Sequence, residues 1–231
     1  MKEKIVVLTG AGVSAESGIN TFRDAGGLWE GHDVMEVASP QGFAKNPALV
    51  LDFYNQRRRQ LSQVSPNRAH LALAELEDYF DVVVVTQNVD DLHERAGSSQ
   101  VVHLHGELLK MRSSGGDRTI LDCPNDISLG DFCDNGHQLR PHIVWFGEAV
   151  PELERAANLV TQADVVIIIG TSMQVYPAAG LVDYARPGVP IYFIDPKPSI
   201  SEYDFDNLTI IGEKAAKGVP PLVKKLIDSV S

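Results

Sequence analysis

Residues 5–23, IVVLTGAGVSAESGINTFR, contain the stretch that decides the fold. The apolar run Ile5–Leu8 has the composition of a buried parallel strand. It leads into a G-x-G-x-x-A turn at residues 10–15, a pattern typical of a strand-to-helix joint. Glycine at positions 10 and 12 would let backbone N–H groups approach a pyrophosphate, and the start of the following helix would add unpaired donors. The stretch therefore predicts a phosphate-binding turn at the end of the first strand.

The continuation differs from that of an ordinary dinucleotide-binding unit. In the standard unit the first helix leads to a second strand, which ends in an acidic residue about 20 residues on. Residues 20–29, NTFRDAGGLW, stand in that place and have the composition of a loop. An aromatic residue, an arginine and paired glycines suit a flap over a cofactor. This departure argues against an ordinary dehydrogenase.

The composition is that of a folded, acidic protein. Of the 231 residues, 44% are hydrophobic and 22% are charged, which allows one core with a smaller lobe. The net charge of −11 disfavours direct binding to nucleic acid or anionic membranes and suits basic partners such as lysine-bearing peptides. Because no apolar run approaches a membrane span and the N-terminal run is too short for a signal peptide, we expect a cytoplasmic protein. Cys123 and Cys133 are too few for a disulfide scaffold.

Strand and helix patterns alternate along the chain. Buried parallel strands are predicted at Ile5–Leu8, Val82–Val85, Val165–Ile169 and Ile191–Ile194, with shorter candidates at Val101–Leu104 and Ile143–Phe146. Helical periodicity covers Ala48–Leu61, Ala69–Tyr79, Leu153–Gln162, Ala178–Ala185 and Pro220–Val230. The alternation predicts an α/β fold with a Rossmann-like, doubly wound parallel sheet. We expect a single domain over 1–231, with its core at 1–31, 79–109 and 142–231 and a small lobe formed by insertions 32–78 and 110–141.

Polar residues follow the predicted strands at the edge where open α/β sheets bind ligands. The segment Thr86–Asp91, TQNVDD, could hold a carboxamide or ribose hydroxyls. The same letters suit a helix cap before Leu92–Ala96, and in isolation that interpretation is favoured. Gly170–Ser172 follows the third long strand. Asp195 follows the fourth, where an acidic residue commonly binds the adenosine ribose.

Two histidines lie in the stretch HLHG at residues 103–106. If Val101–Leu104 is a strand, His103 and His105 share one face of it. A histidine beside glycine at a strand end can act as a general base. Without further context, a pair of hydrogen-bonded structural histidines is the favoured interpretation.

Together these pieces resemble the sirtuins, the NAD-dependent protein lysine deacylases, over nearly the whole chain. The segments that carry the resemblance are GAGVS at 10–14 continuing to Phe22-Arg23, TQNVD at 86–90, HLHG at 103–106, LRP at 139–141 with VWFGE at 144–148, and GTS at 170–172. Any one of them is modest evidence, whereas all five in the family's order are highly specific.

The resemblance implies roles for the matching residues. The residues that bind the cofactor's phosphates or belong to the cofactor loop are Gly10, Ala11, Gly12, Ser14, Phe22, Arg23 and Trp29. The nicotinamide–ribose pocket involves Gln87, Asn88 and Asp90, and the catalytic set is His105 with Asn88 and Asp90. The adenosine side involves Gly170, Thr171, Ser172, Asp195 and Ala215. The substrate backbone, pairing as an added strand, is flanked by Val144, Phe146, Gly147 and Glu148.

The resemblance also implies that NAD is consumed and that no hydride moves. The acyl-lysine oxygen attacks C1′ of the nicotinamide ribose, and His105 then accepts a ribose hydroxyl proton. The products are nicotinamide, free lysine and O-acyl-ADP-ribose. Rival functions on the same fold are a mono-ADP-ribosyltransferase and a non-catalytic sensor of NAD or ADP-ribose, although His105 with Asn88 and Asp90 argues against a sensor.

The small lobe departs from the family's usual zinc site. Most sirtuins carry two Cys-x-x-Cys pairs, whereas this chain has Cys123 and Cys133 alone, and Ser113 stands about where a first ligand is expected. A site built from the two cysteines, His137 and an acid is the alternative, but structural zinc normally takes four ligands in short spacings. We therefore expect no resident metal.

A second departure concerns the acyl group. In the predicted helix Ala48–Leu61, Tyr54 and Arg57 are i,i+3 neighbours, and a phenol with a guanidinium can bind a carboxylate. The Tyr-x-x-Arg pair, with Ala25, resembles the sirtuin class that removes succinyl and malonyl groups. The alternative is that residues 57–59, three arginines, form a solvated face. Spacing alone does not choose Arg57 over Arg58; the resemblance chooses Arg57, and we expect that Arg58→Met does not raise KM for succinyl-lysine peptides.

Overall fold

The computed structural model describes residues 2–20, 28–116, 119–201 and 205–230. The strands are β1 (Lys4–Thr9), β2 (Leu28–Trp29), β3 (His32–Asp33), β4 (Asp81–Thr86), β5 (Val101–His103), β6 (Gly106–Ser113), β7 (Ile120–Asp122), β8 (Leu139–Ile143), β9 (Val165–Ile169), β10 (Ile191–Ile194) and β11 (Leu208–Ile211). The α-helices are α1 (Val34–Val37), α2 (Pro40–Lys45), α3 (Pro47–Leu61), α4 (Arg68–Leu76), α5 (Leu92–Ala96), α6 (Leu153–Thr161) and α7 (Ala215–Asp228). Within these described ranges, none of the helices is both long and apolar enough to cross a bilayer.

The main sheet has six parallel strands in the order β11-β10-β9-β1-β4-β5. β4 and β5 lie on one side of β1, and the later strands β9, β10 and β11 lie on its other side. Thr9 at the end of β1 is level with Thr86 of β4 and Ile169 of β9. Where the direction of winding changes, a crevice opens at the carboxyl ends of the strands, which is where such sheets bind ligands. The expected α/β class and its four long strands are confirmed.

Both faces of the main sheet are buried, which explains its unbroken apolar strands. Ile5 and Val7 pack in a cluster with α4 and α7, whereas Val6 and Leu8 pack in a second cluster with α6 and the 3₁₀ segment Ala178–Tyr184. Successive side chains of a strand point to opposite faces, so a strand covered on both sides needs an apolar residue at every position.

The small lobe contains the antiparallel sheet β7-β6-β8 and the helices α1, α2 and α3. Two boundaries differ from the expected ones. α4 lies within insertion 32–78 but packs on the main sheet, because its apolar face meets β1, β4 and α7. β6 starts at Gly106, so the lobe sheet begins before residue 110.

Four local predictions are wrong or shifted. The glycine turn opens two short 3₁₀ segments, Ala11–Val13 and Ala15–Ser17, rather than an α-helix. The second ends at Gly18, whose φ of 97° lies in the left-handed region that glycine tolerates. Segment 178–184 is likewise a 3₁₀ helix and not an α-helix. β8 ends at Ile143, where the predicted strand Ile143–Phe146 was expected to begin. α7 begins at Ala215, five residues before the predicted start at Pro220.

Candidate active site

The turns that follow β1 and β9 pack directly against each other at the crevice. Gly10 N–H donates to Ile169 O at 3.0 Å, and Gly12 N–H donates to Gly170 O at 2.8 Å. A Cβ at Gly12 would lie 2.6 Å from Gly170 Cα, too close for any other residue. Close backbone packing therefore requires these glycines, and their N–H groups are not free to bind phosphate as the sequence analysis expected.

Ser14, Asn88 and Asp90 form one hydrogen-bonded cluster beside this turn. Asn88 Nδ2 donates to Ser14 Oγ at 3.1 Å, and Ser14 Oγ donates to Asp90 Oδ2 at 3.0 Å. All three are buried, and burial raises the pKa of Asp90 above its usual value. The cluster joins the β1 turn to the segment after β4.

The helix-cap interpretation of the TQNVDD segment also has a basis in the structure. Leu92 N–H, at the start of α5, donates to Asp90 Oδ1 at 3.2 Å. Asp90 thus caps a short helix with one oxygen and holds Ser14 with the other. Beneath it, Thr86 Oγ1 accepts from Asn88 N–H at 3.0 Å and from Thr9 Oγ1 at 2.8 Å. This support from Thr9 and Thr86 was not predicted from the sequence, in which threonine at the ends of two paired strands is the available signal.

His105 has a defined tautomer. Its Nδ1 lies 3.0 Å from Gln87 O, and since a carbonyl oxygen only accepts, Nδ1 carries the proton and Nε2 is left as an acceptor. Burial lowers the pKa of His105, and the hydrogen bond to Gln87 only partly opposes it. The imidazole is therefore neutral near pH 7, as a general base must be before it accepts a proton.

His103 has a different environment from His105. β5 ends at His103 and His105 lies in the turn beyond, so the two do not share a strand face as predicted. His103 Nδ1 donates to Asn88 O at 3.1 Å, and Nε2 lies 2.6 Å from Glu94 Oε1. Burial alone would lower the pKa of His103, but the hydrogen bond and charge of Glu94 outweigh it and raise that pKa. His103 is the hydrogen-bonded structural histidine of the pair.

The residues predicted on the adenosine side lie at the ends of β9 and β10 and the start of α7. Thr171 is buried and its Oγ1 accepts from Gln87 Nε2 at 3.3 Å, which links the two sides of the crevice. Asp195 follows β10 and accepts from Lys197 N–H at 2.8 Å. Ala215 is the first residue of α7, and Glu16 Oε2 accepts from the next N–H, that of Ala216, at 2.7 Å. Ser172 follows Thr171 in the same turn.

Part of the predicted cofactor loop lies outside the described residues. Phe22, Arg23 and Ala25 fall in that gap. Trp29 is described, and its ring lies 5.0 Å from that of Phe53 and 6.0 Å from that of Tyr54, both edge-on. Trp29 therefore packs at the edge of the lobe core, against the helix that carries the predicted acyl-binding pair.

Tyr54 and Arg57 are i,i+3 neighbours on α3, and the Arg57 charge acts on the Tyr54 hydroxyl. Tyr54 is fully buried, and its hydroxyl accepts from Trp145 Nε1 at 3.0 Å. Burial raises the pKa of Tyr54, so the phenol stays a neutral donor. Burial also lowers the pKa of Arg57, while the charge of Glu30 opposes this shift. No role was predicted for Trp145, although it lies in the VWFGE segment at 144–148.

The guanidinium of Arg57 is only partly paired. Nη1 donates to Phe53 O at 2.6 Å, Cζ lies 3.9 Å from the centre of the Phe53 ring, and Nη2 lies 3.8 Å from Glu30 Oε2. Nε is buried and, within the part of the chain described, has no hydrogen-bond partner. A half-buried cation with an unused donor is suited to an incoming acceptor.

Arg58 is buried, so the alternative interpretation of the arginine run as a solvated face does not hold for this residue. It is 3% exposed, with Nε donating to Leu108 O at 3.1 Å and Nη1 to Asn55 Oδ1 at 2.7 Å. Arg59, in contrast, is half exposed and pairs with Asp52 and Asp126 at the surface. Helix geometry explains the difference, because residue 58 faces the lobe sheet while residue 59 faces solvent.

The predicted substrate-flanking segment begins where β8 ends. Val144 N–H donates to His105 O at 2.8 Å, and Phe146 N–H donates to Ala38 O at 2.9 Å, so the segment is anchored to both halves of the cleft. The Phe146 side chain is exposed, and Gly147 has a φ of 89°.

Glu148 makes contacts inside the lobe. Its carboxylate accepts from Arg140 at 2.8 and 3.1 Å, from Arg112 at 3.0 Å and from Trp145 N–H at 2.8 Å. These bonds hold the turn formed by residues 145–148 through the Glu148 carboxylate, and the place of this segment beside the substrate backbone stays a prediction. The Arg140 guanidinium in turn lies 3.2 Å from the centre of the Trp145 ring.

The two cysteines have separate environments in the lobe. Cys123 Sγ donates to Asn125 O at 3.2 Å, and Cys133 Sγ donates to Ser113 Oγ at 3.3 Å. Over the described ranges, no group of three or more histidine, cysteine or acidic side chains is arranged to hold a metal. The loop carrying Cys123 is instead tied to α3 by Asn55, which bonds both Ile127 N and Ile127 O at 2.9 Å.

Comparisons with known proteins agree with this geometry. The chain matches the Sir2 family over residues 10–177. It is 58% identical to an NAD-dependent protein deacylase of Helicobacter pylori (strain ATCC 700392 / 26695), over 99% of this chain and 100% of that protein. It is 53% identical to an NAD-dependent protein deacylase of Bacteroides thetaiotaomicron, over 97% of this chain and 98% of that protein.

Solved structures give the same picture. A Sir2 homologue–NAD complex superposes with a TM-score of 0.87 at 40% identity, covering 100% of this chain and 91% of that one. A Sir2 bound to acetylated peptide superposes with a TM-score of 0.78 at 27% identity, covering 99% and 93%.

Proposed function

The chain belongs to the Sir2 family and is an NAD-dependent protein deacylase, and we propose that His105 is its general base and that Tyr54 and Arg57 select acyl groups ending in a carboxylate. Succinyl- and malonyl-lysine are the substrates that fit this chemistry. The cytoplasmic location and the lack of a resident zinc remain predictions.

The donor set at the crevice fits NAD. Amides at Gln87 and Asn88 suit a carboxamide, and the carboxylates of Asp90 and Asp195 suit ribose hydroxyls. The joint formed by Gly10, Gly12 and Gly170 carries no side chains and leaves the crevice clear for a dinucleotide. NAD, when bound, supplies the ribose carbon that accepts the acyl oxygen as nicotinamide leaves.

The chain's own contribution to chemistry centres on His105. With Nδ1 fixed as a donor to Gln87 O, the Nε2 lone pair can take a proton from a ribose hydroxyl. Its lowered pKa keeps Nε2 unprotonated at neutral pH. The bond from Val144 N–H to His105 O couples the position of the base to the segment that flanks the substrate.

The observation that carries the acyl proposal is the buried pair Tyr54–Arg57. A carboxylate that enters a partly dry pocket loses water and needs replacement donors. Arg57 Nε, which has no hydrogen-bond partner among the described residues, and the neutral Tyr54 hydroxyl can supply them. An acetyl group has no such carboxylate and gains nothing from either.

Mass spectrometry of matched acetyl-, malonyl- and succinyl-lysine peptides, incubated with and without NAD, tests the proposal. We expect NAD-dependent removal of all three acyl groups with preference for the acidic ones, and release of free nicotinamide. Removal of acetyl alone would contradict the acyl proposal, and label transferred from NAD to protein without deacylation would favour the mono-ADP-ribosyltransferase alternative.

A further inference from the structure

The tight turn of the β2–β3 hairpin places an acidic residue beside Arg57. Glu30 and Gly31 connect the paired residues Trp29 and His32, and both have positive φ values, 50° and 82°. Two-residue turns of this kind strongly prefer asparagine, aspartate or glycine at the first central position. Glutamate there is strained, and strain in an unusual conformation points to a role for the side chain.

Among the residues that the structure describes, the carboxylate of Glu30 has two polar contacts. Oε2 lies 3.8 Å from Arg57 Nη2, an ion pair too long for a hydrogen bond, and Oε1 accepts from Asn20 Nδ2 at 3.2 Å. The side chains of Glu30 and Arg57 are 24% and 15% exposed. The pair is therefore loose and reachable by solvent at one end. Asp52, the other acid acting on Arg57, already pairs with Arg59.

We propose that Glu30 is the internal counter-ion of Arg57 and that an acyl carboxylate must displace it, so that Glu30 sets the balance between acidic and neutral acyl groups. When a neutral acyl group is bound, Glu30 keeps the half-buried guanidinium compensated. When a succinyl group enters, its carboxylate competes with Glu30 for the same cation. This inference rests on the proposed acyl selection by Arg57.

The test compares kcat/KM for succinyl- and acetyl-lysine peptides of one sequence in the wild type, Glu30→Gln, Arg57→Met and the double variant. Glutamine keeps the length of the side chain and an acceptor for Asn20 but removes the charge that faces Arg57. Because a partly exposed ion pair is weak, we expect Glu30→Gln to raise the succinyl-to-acetyl ratio about two- to fivefold, through a lower KM for succinyl-lysine. In the Arg57→Met background Glu30→Gln should leave the ratio unchanged.

Glu30→Asn is the second variant, since Asn-Gly is a preferred pair for this turn. Its neutral amide also removes the negative charge that faces Arg57. It should raise the ratio in the same direction. An unchanged or lowered ratio in both variants, with succinyl activity still lost in Arg57→Met, would overturn the role of Glu30 alone. Full succinyl activity in Arg57→Met would overturn the acyl proposal and this inference with it.

Discussion

The polar groups at the sheet edge and the Tyr54–Arg57 pair of the lobe are held in place by different kinds of contact. At the edge, Ser14, Asn88 and Asp90 follow strands whose positions are fixed by parallel backbone pairing. In the lobe, Tyr54 and Arg57 are carried by α3, which is held mainly by side chains. Variants at the edge should therefore change chemistry without unfolding the protein. In α3, we expect variants of Arg57 to change specificity and variants of its neighbour Arg58 to change stability.

The largest expected effect lies at the edge, in His105→Ala. Removing the base should lower kcat for deacylation by two or more orders of magnitude, while the affinity for NAD changes little. Steady-state kinetics and calorimetric titration with NAD measure the two effects. In the wild type, the lowered pKa of His105 predicts that activity persists as the pH falls through the usual histidine range and drops only below it. Near-normal deacylation by His105→Ala would contradict its role.

A smaller effect, on stability, is expected from Arg58→Met in the lobe. The change leaves the buried Leu108 O without its donor and costs about 1–3 kcal/mol in the free energy of unfolding. Arg59→Met is the matched control, because Arg59 is exposed and should change stability by less than about 0.5 kcal/mol. Equal effects in chemical denaturation would show that the buried contacts of Arg58 do not support the lobe.

The smallest effect should follow from metal removal. With Asn55 and the buried residues around Cys123 holding the lobe sheet to α3, treatment with a chelator should leave the melting temperature unchanged. Elemental analysis should find less than one zinc per chain. A tightly held zinc, with loss of structure on chelation, would show that Cys123, Cys133 and His137 form a site after all.

The sequence predicted the edge of the sheet better than the lobe, for a physical reason. Apolar runs such as Val165–Ile169 must be strands buried on both faces, and the polar residues that follow them must meet at one edge. Local patterns carry that information. Local patterns did not indicate that the N–H groups of Gly10 and Gly12 donate to carbonyl oxygens at the end of β9, because these partners are about 160 residues away in sequence.

In the lobe the decisive contacts are also between distant side chains. Nothing near Arg58 in the sequence distinguishes it from Arg57, since its burial depends on β6 and the Ile127 loop. The motif that contains Glu148 did not indicate that Arg112 and Arg140 bind its carboxylate. α4 lies in a segment that was predicted to be an insertion, but its apolar face packs on the main sheet.

The most direct test of acyl selection is the succinyl-to-acetyl ratio of kcat/KM in Arg57→Met, with Arg59→Met as the control. Removing the guanidinium leaves the acyl carboxylate unpaired in the pocket, a penalty on the order of 2–5 kcal/mol. We expect a sharply raised KM for succinyl-lysine peptides and a much smaller effect on acetyl-lysine, with both activities retained in Arg59→Met. Undiminished succinyl activity in Arg57→Met, or an equal loss on both substrates, would contradict the account.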